Sequence, residues 1–311
     1  MTVRPRPTRR LPETLAMTAP DDIFETHRRF LTRLAYRMLG SVSDAEDIVQ
    51  EAWLRWRDVP QDAVETPRAY LARTVTRLCL DQMKSARSKR EFYVGAWLPE
   101  PLVEEIGAGE SDVDTQLDAP IALMLALERL TPLERAAFLL HDVFDLDFAE
   151  IARTIDRSES ACRQLAKRAR EHVRIDMPPR NKVDPADAKR FVEAFFKAAH
   201  KADTSDLQTL LANDVAFHSD GGGKVLAILN PLHGIDRVLR FFAGIANKVA
   251  HLHKTTTLYK PVMINGMPGY LSLERGETLQ ATALDIRDGR VHAIYVVRNP
   301  DKLRHISLGA E

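Results

Sequence analysis

The side chains best suited to do chemistry in this 311-residue sequence lie between Asp147 and Arg174. Ser160, Arg163, Gln164, Lys167, Arg170 and Arg174 recur three and four residues apart, which places them on one face of a helix. Ala161, Cys162, Leu165, Ala166, Ala169 and Val173 take the other face. A guanidinium and a carboxamide at the leading end suit guanine and adenine edges, and Lys167 and Arg170 suit phosphates. Such a face would read duplex DNA rather than make bonds, although the same residues also fit a solvated cationic surface on a helical hairpin. A second set consists of general-base types: Asp214, His218, Asp220, His233 and Asp285. A catalytic carboxylate needs an apolar surrounding that raises its pKa and a donor aimed at the developing oxyanion, and the sequence shows neither. His251 and His253 lie two apart, on one face of a possible strand, without a third ligand at diagnostic spacing. Asp220-Gly221-Gly222-Gly223-Lys224 lacks the spacing of a phosphate loop. The expectation is a protein without catalytic residues, metal or cofactor.

The elements that must carry these residues follow from periodicity. Ala149, Ile151, Ala152 and Ile155 predict a short helix, Asp156-Arg157 a turn, and Ser158 or Ser160 the N-cap of the basic helix, together a helix-turn-helix. Upstream, Asp22 to Trp56 reads as two helices, the first ended by Gly40. Ser43-Asp44-Ala45-Glu46 has the form of a capping box with Ser43 as cap. Ile48, Val49, Ala52, Trp53 and Trp56 then form a buried stripe, leaving Asp47, Gln50, Glu51 and Arg55 outward as a solvated surface or a docking face for a basic partner. Thr66-Pro67 starts a third helix, with Tyr70, Leu71, Val75, Leu78 and Cys79 inward. Its Arg68, Arg73, Arg77, Lys84, Arg87, Lys89 and Arg90 suit either the helix dipole or a DNA backbone.

Lys and Arg number 44 against 44 Asp and Glu, for a net charge of zero. With local basic faces on a neutral chain, weak DNA binding alone and delivery by a larger partner are expected. Cys79 and Cys162 fall on apolar stripes, as buried thiols in a reducing compartment would. No apolar run reaches spanning length, and residues 1–20 lack the apolar core of a signal peptide and read as a disordered tail. A cytoplasmic location without a membrane partner is expected.

Residues 91–119 are rich in Pro, Gly and acids and read as a linker, yet Tyr93, Trp97 and Leu98 are too apolar to stay in water. Trp97-Leu98-Pro99-Glu100-Pro101 either folds back on a neighbour or docks a third domain. Residues 177–186, with Pro178-Pro179 just inside, form a second linker. From 187 to 298 come amphipathic helices around Phe191–Ala199, Leu207–Leu211 and Gly234–Val249. Alternating runs follow, with Asn265-Gly266 and Asp288-Gly289 between them as hairpin turns. Helices followed by a meander predict an α+β cone in which a curved sheet wraps a helix. The tail at 299–311 either packs back or frays.

The strings YRMLGSVSDAEDIVQEAWLRW, RAYLARTVTRLCLDQMKSARSKRE and LERLTPLERAAFLLHDVFDLDFAEIARTIDRSESACRQLAKRAR resemble bacterial RNA-polymerase sigma factors of the extracytoplasmic-function class, over roughly the first half of the chain. The WLPEP string and the order of the last elements resemble the subgroup with a fused C-terminal SnoaL-like domain. The resemblance implies a multidomain chain. An all-α region-two domain spans 21–90 and an all-α region-four helix-turn-helix spans 120–176. A SnoaL-like cone or barrel, a fold that often holds an apolar cavity, follows at 187–298. It also implies that Asp44, Glu46, Asp47, Gln50 and Glu51 dock core RNA polymerase. Arg68, Arg73, Arg77, Lys84 and Arg87 would meet promoter DNA near the minus-ten element, and Ser160, Arg163, Gln164, Lys167, Arg168 and Arg170 the minus-thirty-five element. Arg77 stands where many members carry Asn, which leaves its base open. Trp97, Leu98, Pro99, Glu100 and Pro101, with Asp220, Gly221, Gly222, Gly223 and Lys224, would form an interdomain regulatory contact in place of a separate anti-sigma protein. Two alternatives stay open: a third domain that senses or converts an unknown small ligand, and a repressor unrelated to polymerase.

Overall fold

The computed structural model describes residues 20–60, 63–90, 93–106, 120–174, 184–201, 204–252, 256–274 and 277–306. Three helices come first: α1 (Pro20–Leu39), α2 (Val42–Arg57) and α3 (Pro67–Arg90). Gly40, at φ +72°, turns the chain between α1 and α2. The N-cap of α2 is Ser41, which accepts from the Asp44 amide at 3.1 Å, and not the expected Ser43, which lies inside the helix. Glu46 therefore has no capping role. The carboxylate that completes this terminus arrives from the linker, as described below. Trp53 is half-buried, with its indole N–H donating to Asp21 at 3.2 Å.

The second helical group comprises α4 (Ile121–Glu128), α5 (Pro132–Phe138), a π-turn (Leu139–Val143), α6 (Phe148–Ile155) and α7 (Glu159–Arg174). Thr131 and Glu134 make a reciprocal capping box at α5, and Asp147 caps α6 by accepting from the Glu150 amide. The two helical groups share one buried core, in which Phe24, Leu31, Trp56 and Leu71 join Leu127, Leu140, Ile151 and Cys162.

The last part carries α8 (Pro185–Ala199), which starts inside the stretch read as a linker, α9 (Ser205–Leu210) and α10 (Ile235–Leu252). Its strands are β2 (Leu211–Asp220), β3 (Leu232–His233), β4 (Thr256–Ile264), β5 (Met267–Glu274), β6 (Thr278–Arg287) and β7 (Arg290–Val297). The seven-stranded order is β1-β4-β5-β6-β7-β2-β3, where β1 is Val103–Glu105 from the supposed linker. Val103 pairs with Ile264 and Glu105 with Val262, so part of the linker is an edge strand of the third domain. All pairs are antiparallel except β2 with β7. His251 lies in α10 rather than on a strand, and His253 lies outside the described residues.

Alternation along the strands gives the sheet two apolar faces. Val215, Phe217, Leu284, Ile294 and Val296 face α8, α9 and α10. Ala216, Ala283, Tyr295 and Val297 face Leu98, Ile121 and Leu303, that is, the linker, α4 and the tail. The third domain is thus pressed against the helical half through the back of its sheet.

Candidate nucleic-acid and polymerase interface

On α7, Cys162, Ala166, Ala169 and Val173 are buried, whereas Ser160, Arg163, Gln164, Lys167 and Arg168 are exposed. Ser158 is the residue at the N-terminus that accepts an amide, from Ala161 at 3.3 Å. The left-handed Asp156 (φ +55°) ends α6 and sets the turn. Arg163 pairs with Glu159 at 2.7 Å and sits 5.3 Å over the Phe148 ring. Arg170 is drawn instead to Asp142 at 2.6 Å, away from the phosphate role expected of it.

The arginines of α3 are directed differently from the sequence expectation. Arg77 donates to the carbonyls of Thr154 and Arg153, both at 3.0 Å, at the C-terminal end of α6. Those carbonyls carry the negative end of the helix dipole. Arg68 donates to the Phe144 carbonyl at 3.3 Å and lies 4.7 Å over Phe30. The Phe144 ring meets Phe30 edge-on at 5.1 Å, with Arg37 over it at 5.4 Å. Buried Arg135 donates back to Met38 O at 2.7 Å. Of the other expected contacts, Arg73 lies over Tyr70, Lys84 pairs with Asp81, and the Arg87 side chain lies outside the described residues.

The acidic face of α2 is open: Glu46, Asp47, Gln50 and Glu51 are exposed and Asp44 is half-buried. Leu54, 45% exposed, continues this face one turn on. Sequence reasoning missed it, though its spacing from Asp47, Gln50 and Glu51 was visible.

The linker joins all of this to the third domain. Glu100 is buried and accepts from the Val42 amide (2.6 Å), the Ser43 amide (3.3 Å) and the Ser41 hydroxyl (3.0 Å), completing the N-terminus of α2. Its own amide donates to Gly40 O and its carbonyl accepts from Tyr36 at 2.7 Å. Asn265, from the β4–β5 turn, donates to the Tyr36 hydroxyl at 2.8 Å and accepts from the Leu102 amide at 3.1 Å. A Cβ on Gly40 would lie 2.5 Å from the Trp97 ring, so the close approach requires glycine. Asp220 accepts from the Tyr93 hydroxyl (2.5 Å), the Leu98 amide (2.9 Å), the Gly222 amide (3.0 Å) and the Lys302 ammonium (2.8 Å). Lys302 is sandwiched near Tyr93 and Trp97 and also donates to Leu98 O. A Cβ on Gly222 would strike Asn299, and Gly223 abuts Val94. The tail packs back: a 3-10 turn (Pro300–Leu303) brings Lys302 and Leu303 inward, and His305 meets Pro101 O at 2.8 Å.

None of the general-base types lines the interior of the cone. Ala216, on the outer side of β2, shares its parity with His218 and Asp220, whereas Val215 and Phe217 point inward. Asp214 pairs with His292, Asp285 with Arg287, and His233 is exposed. The interior holds mutually contacting rings of Phe195, Phe196, Phe217, Phe241, Phe242 and Tyr270. A cleft of about 320 Å³ lies elsewhere, between Tyr93, Gly95 and Trp97 of the linker and Leu125 and Glu128 of α4.

His218 stacks on Tyr295 at 5.2 Å, and burial, with neighbouring His233 and Arg129, holds its pKa down to about 4. An unfolded histidine titrates near about 6.5. Between those values the unfolded chain binds the extra proton, so stability rises with pH across the window and is lost on acidification. Stability is expected to fall by roughly 1–3 kcal/mol between pH 6.5 and pH 4 through this residue. Denaturant titrations of His218→Gln should show that part of the pH slope gone. An unchanged slope refutes the assignment.

Two family models match: Sigma-70 region 2 over residues 23–89 and Sigma-70, region 4 over residues 121–173. The helical half is therefore that of a sigma factor, the subunit class that gives RNA polymerase its promoter recognition and begins transcription. The chain is 41% identical over 292 residues to the extracytoplasmic-function RNA polymerase sigma factor SigJ of Mycobacterium tuberculosis, covering 90% of this chain and 91% of that protein. It is 34% identical to the probable extracytoplasmic-function sigma factor SigI of the same species, covering 90% and 93%. The crystal structure of SigJ superposes with a TM-score of 0.72 at 38% identity, covering 92% of this chain and 98% of that one. This chain belongs to the extracytoplasmic-function sigma factors, with two helical sigma domains followed by a mixed-sheet domain of the SnoaL-like cone type. Among the described residues no helix is long and apolar enough to cross a membrane.

Proposed function

We propose that this sigma factor restrains itself through its own third domain, with no separate anti-sigma protein required, and works in the cytoplasm where promoter DNA and core polymerase meet. The carrying observation is the double grip on the linker: Glu100 completes the N-terminus of α2 while Asp220 and Lys302 hold the adjacent Leu98. Any movement of the third domain therefore reaches the helix that docks polymerase. In this reading Asp44, Glu46, Asp47, Gln50, Glu51 and Leu54 meet the core enzyme. Arg68, Arg73, Arg77, Lys84 and Arg87 serve the minus-ten element, and the exposed face of α7 the minus-thirty-five element. The linker and Asp220–Lys224 set the bias between closed and open arrangements. The third domain acts by contact rather than catalysis, since aromatic rings occupy its interior and its acid–base residues lie on the outer side or in ion pairs.

Asp47→Lys and Glu51→Lys should each weaken binding to core polymerase about tenfold or more, because a reversed charge repels where the original attracted. Titration of labelled protein with core enzyme measures this, and unchanged affinity for both variants would revive the repressor reading. In a reconstituted transcription assay, a chain ending at Asp176 should initiate at a different rate from the full chain. Equal rates overturn self-restraint.

A further inference from the structure

The helix that begins as α5 does not run on as an α-helix. Leu139–Val143 winds as a π-turn, with the Phe144 amide donating to Leu139 O at 3.0 Å and the Leu146 amide to Leu140 O at 2.8 Å. A π-turn carries one residue more than an α-turn and costs regular helix geometry, and the extra residue shifts where the side chains around it point. Two of them reach the helix-turn-helix, His141 at Phe148 of α6 and Asp142 at Arg170 of α7. His141, fixed by its Nδ1 contact with Leu146 O at 3.0 Å, lies against Phe148 with ring centroids 4.1 Å apart. Phe148 in turn supports the Arg163 guanidinium, which also pairs with Glu159. Asp142 takes Arg170. Arg163 and Arg170 lie seven residues apart on one face of α7, yet they are treated oppositely. The first is braced where it stays 56% exposed, and the second is pulled down against the turn.

We propose that this π-turn tunes promoter recognition. Phe148, backed by His141 and with Glu159 alongside, is a positioning residue that holds Arg163 for base readout. Asp142 withholds Arg170 from the phosphates and so limits affinity for arbitrary duplex. The inference rests on α7 being the duplex-reading helix. Phosphate contacts add affinity to every sequence alike and steepen the salt dependence, whereas base contacts discriminate, so the two arms have separate signatures.

The test uses holoenzyme assembled from the full chain and core polymerase. It is bound to promoter duplexes in which each base pair of the minus-thirty-five element is changed in turn, at several salt concentrations. Phe148→Leu should lower discrimination at one base pair about fivefold with the salt slope unchanged. Glu159→Gln, at an exposed position, should lower it at the same base pair. Asp142→Asn should raise affinity for matched and mismatched duplexes together and steepen the log–log salt slope by about one, and adding Arg170→Gln should restore the original slope. Arg170→Gln alone should leave the slope where it was. A slope unmoved by Asp142→Asn, a slope reduced by Arg170→Gln alone, or a uniform loss of affinity in both Phe148→Leu and Glu159→Gln overturns the proposal. Lys167→Ala separates the failures: if it changes neither affinity nor slope, the assignment of α7 falls and this inference with it.

Discussion

Asp220→Ala is expected to loosen the linker and tail by about 3–5 kcal/mol, the usual consequence of removing one member of a buried ion pair while the other stays. Asp220 is fully buried and serves four donors at once. Alanine would take the carboxylate away from the Lys302 ammonium, which lies near two aromatic rings and also donates to Leu98 O, and from the Tyr93 hydroxyl. Tyr93 is held well above the ordinary phenol range, first by burial and then by Asp220, so at neutral pH it is a hydrogen-bond donor to that carboxylate. Local opening measured by exchange of the Glu100 and Lys302 amides, which donate to Gly40 O and Asn299 O, reads the effect directly. Protection within about 1 kcal/mol of the unsubstituted chain would show that the contact does not hold the domains. Asp220→Ala with Lys302→Met should recover much of the loss, because two apolar groups in such a site are far less costly than one orphaned charge.

Much of this arrangement was legible in the sequence, and the parts that were not share a cause. Helices with a one-sided apolar stripe, such as α7 and α10, declare themselves because 3.6-residue periodicity is local. The β4–β7 meander does so because Asn265-Gly266 and Asp288-Gly289 take the left-handed conformations that tight hairpins require. β1 was not legible: Val103-Glu104-Glu105 becomes a strand because the edge of β4 supplies partners, and that edge lies some 160 residues on. Ser41 rather than Ser43 caps α2 because Glu100, also remote, supplies the second half of the cap. The parity that turns His218 and Asp220 away from the cone interior cannot be assigned until both sides of the sheet are known to be covered. For the interface itself, residue type located the cationic faces but not their present partners. An arginine row suits phosphate oxygens and backbone carbonyls for the same electrostatic reason, and only the fold shows that Arg77 holds the carbonyls ending α6 and Arg68 the carbonyl of Phe144.

Phe144 is 6% exposed, set against Phe30 and beneath Arg37, with Arg68 on its carbonyl. Phe144→Ala should cost about 3–5 kcal/mol in lost burial and cavity. We expect part of that to appear as separation of the two sigma domains rather than unfolding of either. The reason is that the polar contacts beside it, from Arg68 and Arg77, can exchange carbonyls for water. Freed arginines are then available to phosphates. As a prediction, free Phe144→Ala protein, without core polymerase, should bind a promoter duplex spanning both elements about tenfold more tightly at low salt than the unsubstituted chain. Phe144→Leu, which keeps an apolar side chain but loses the ring contacts, should fall between the two and guards against a variant that does not fold. Spin labels on Glu65→Cys and His172→Cys, both at exposed sites, should show a narrow distance distribution in the parent that broadens in each variant. The buried thiols of Cys79 and Cys162 are held in their neutral form by burial and should not label. Unchanged distances together with unchanged or weaker DNA binding in Phe144→Leu would mean that the closed pairing of the two domains does not restrict access to promoter DNA.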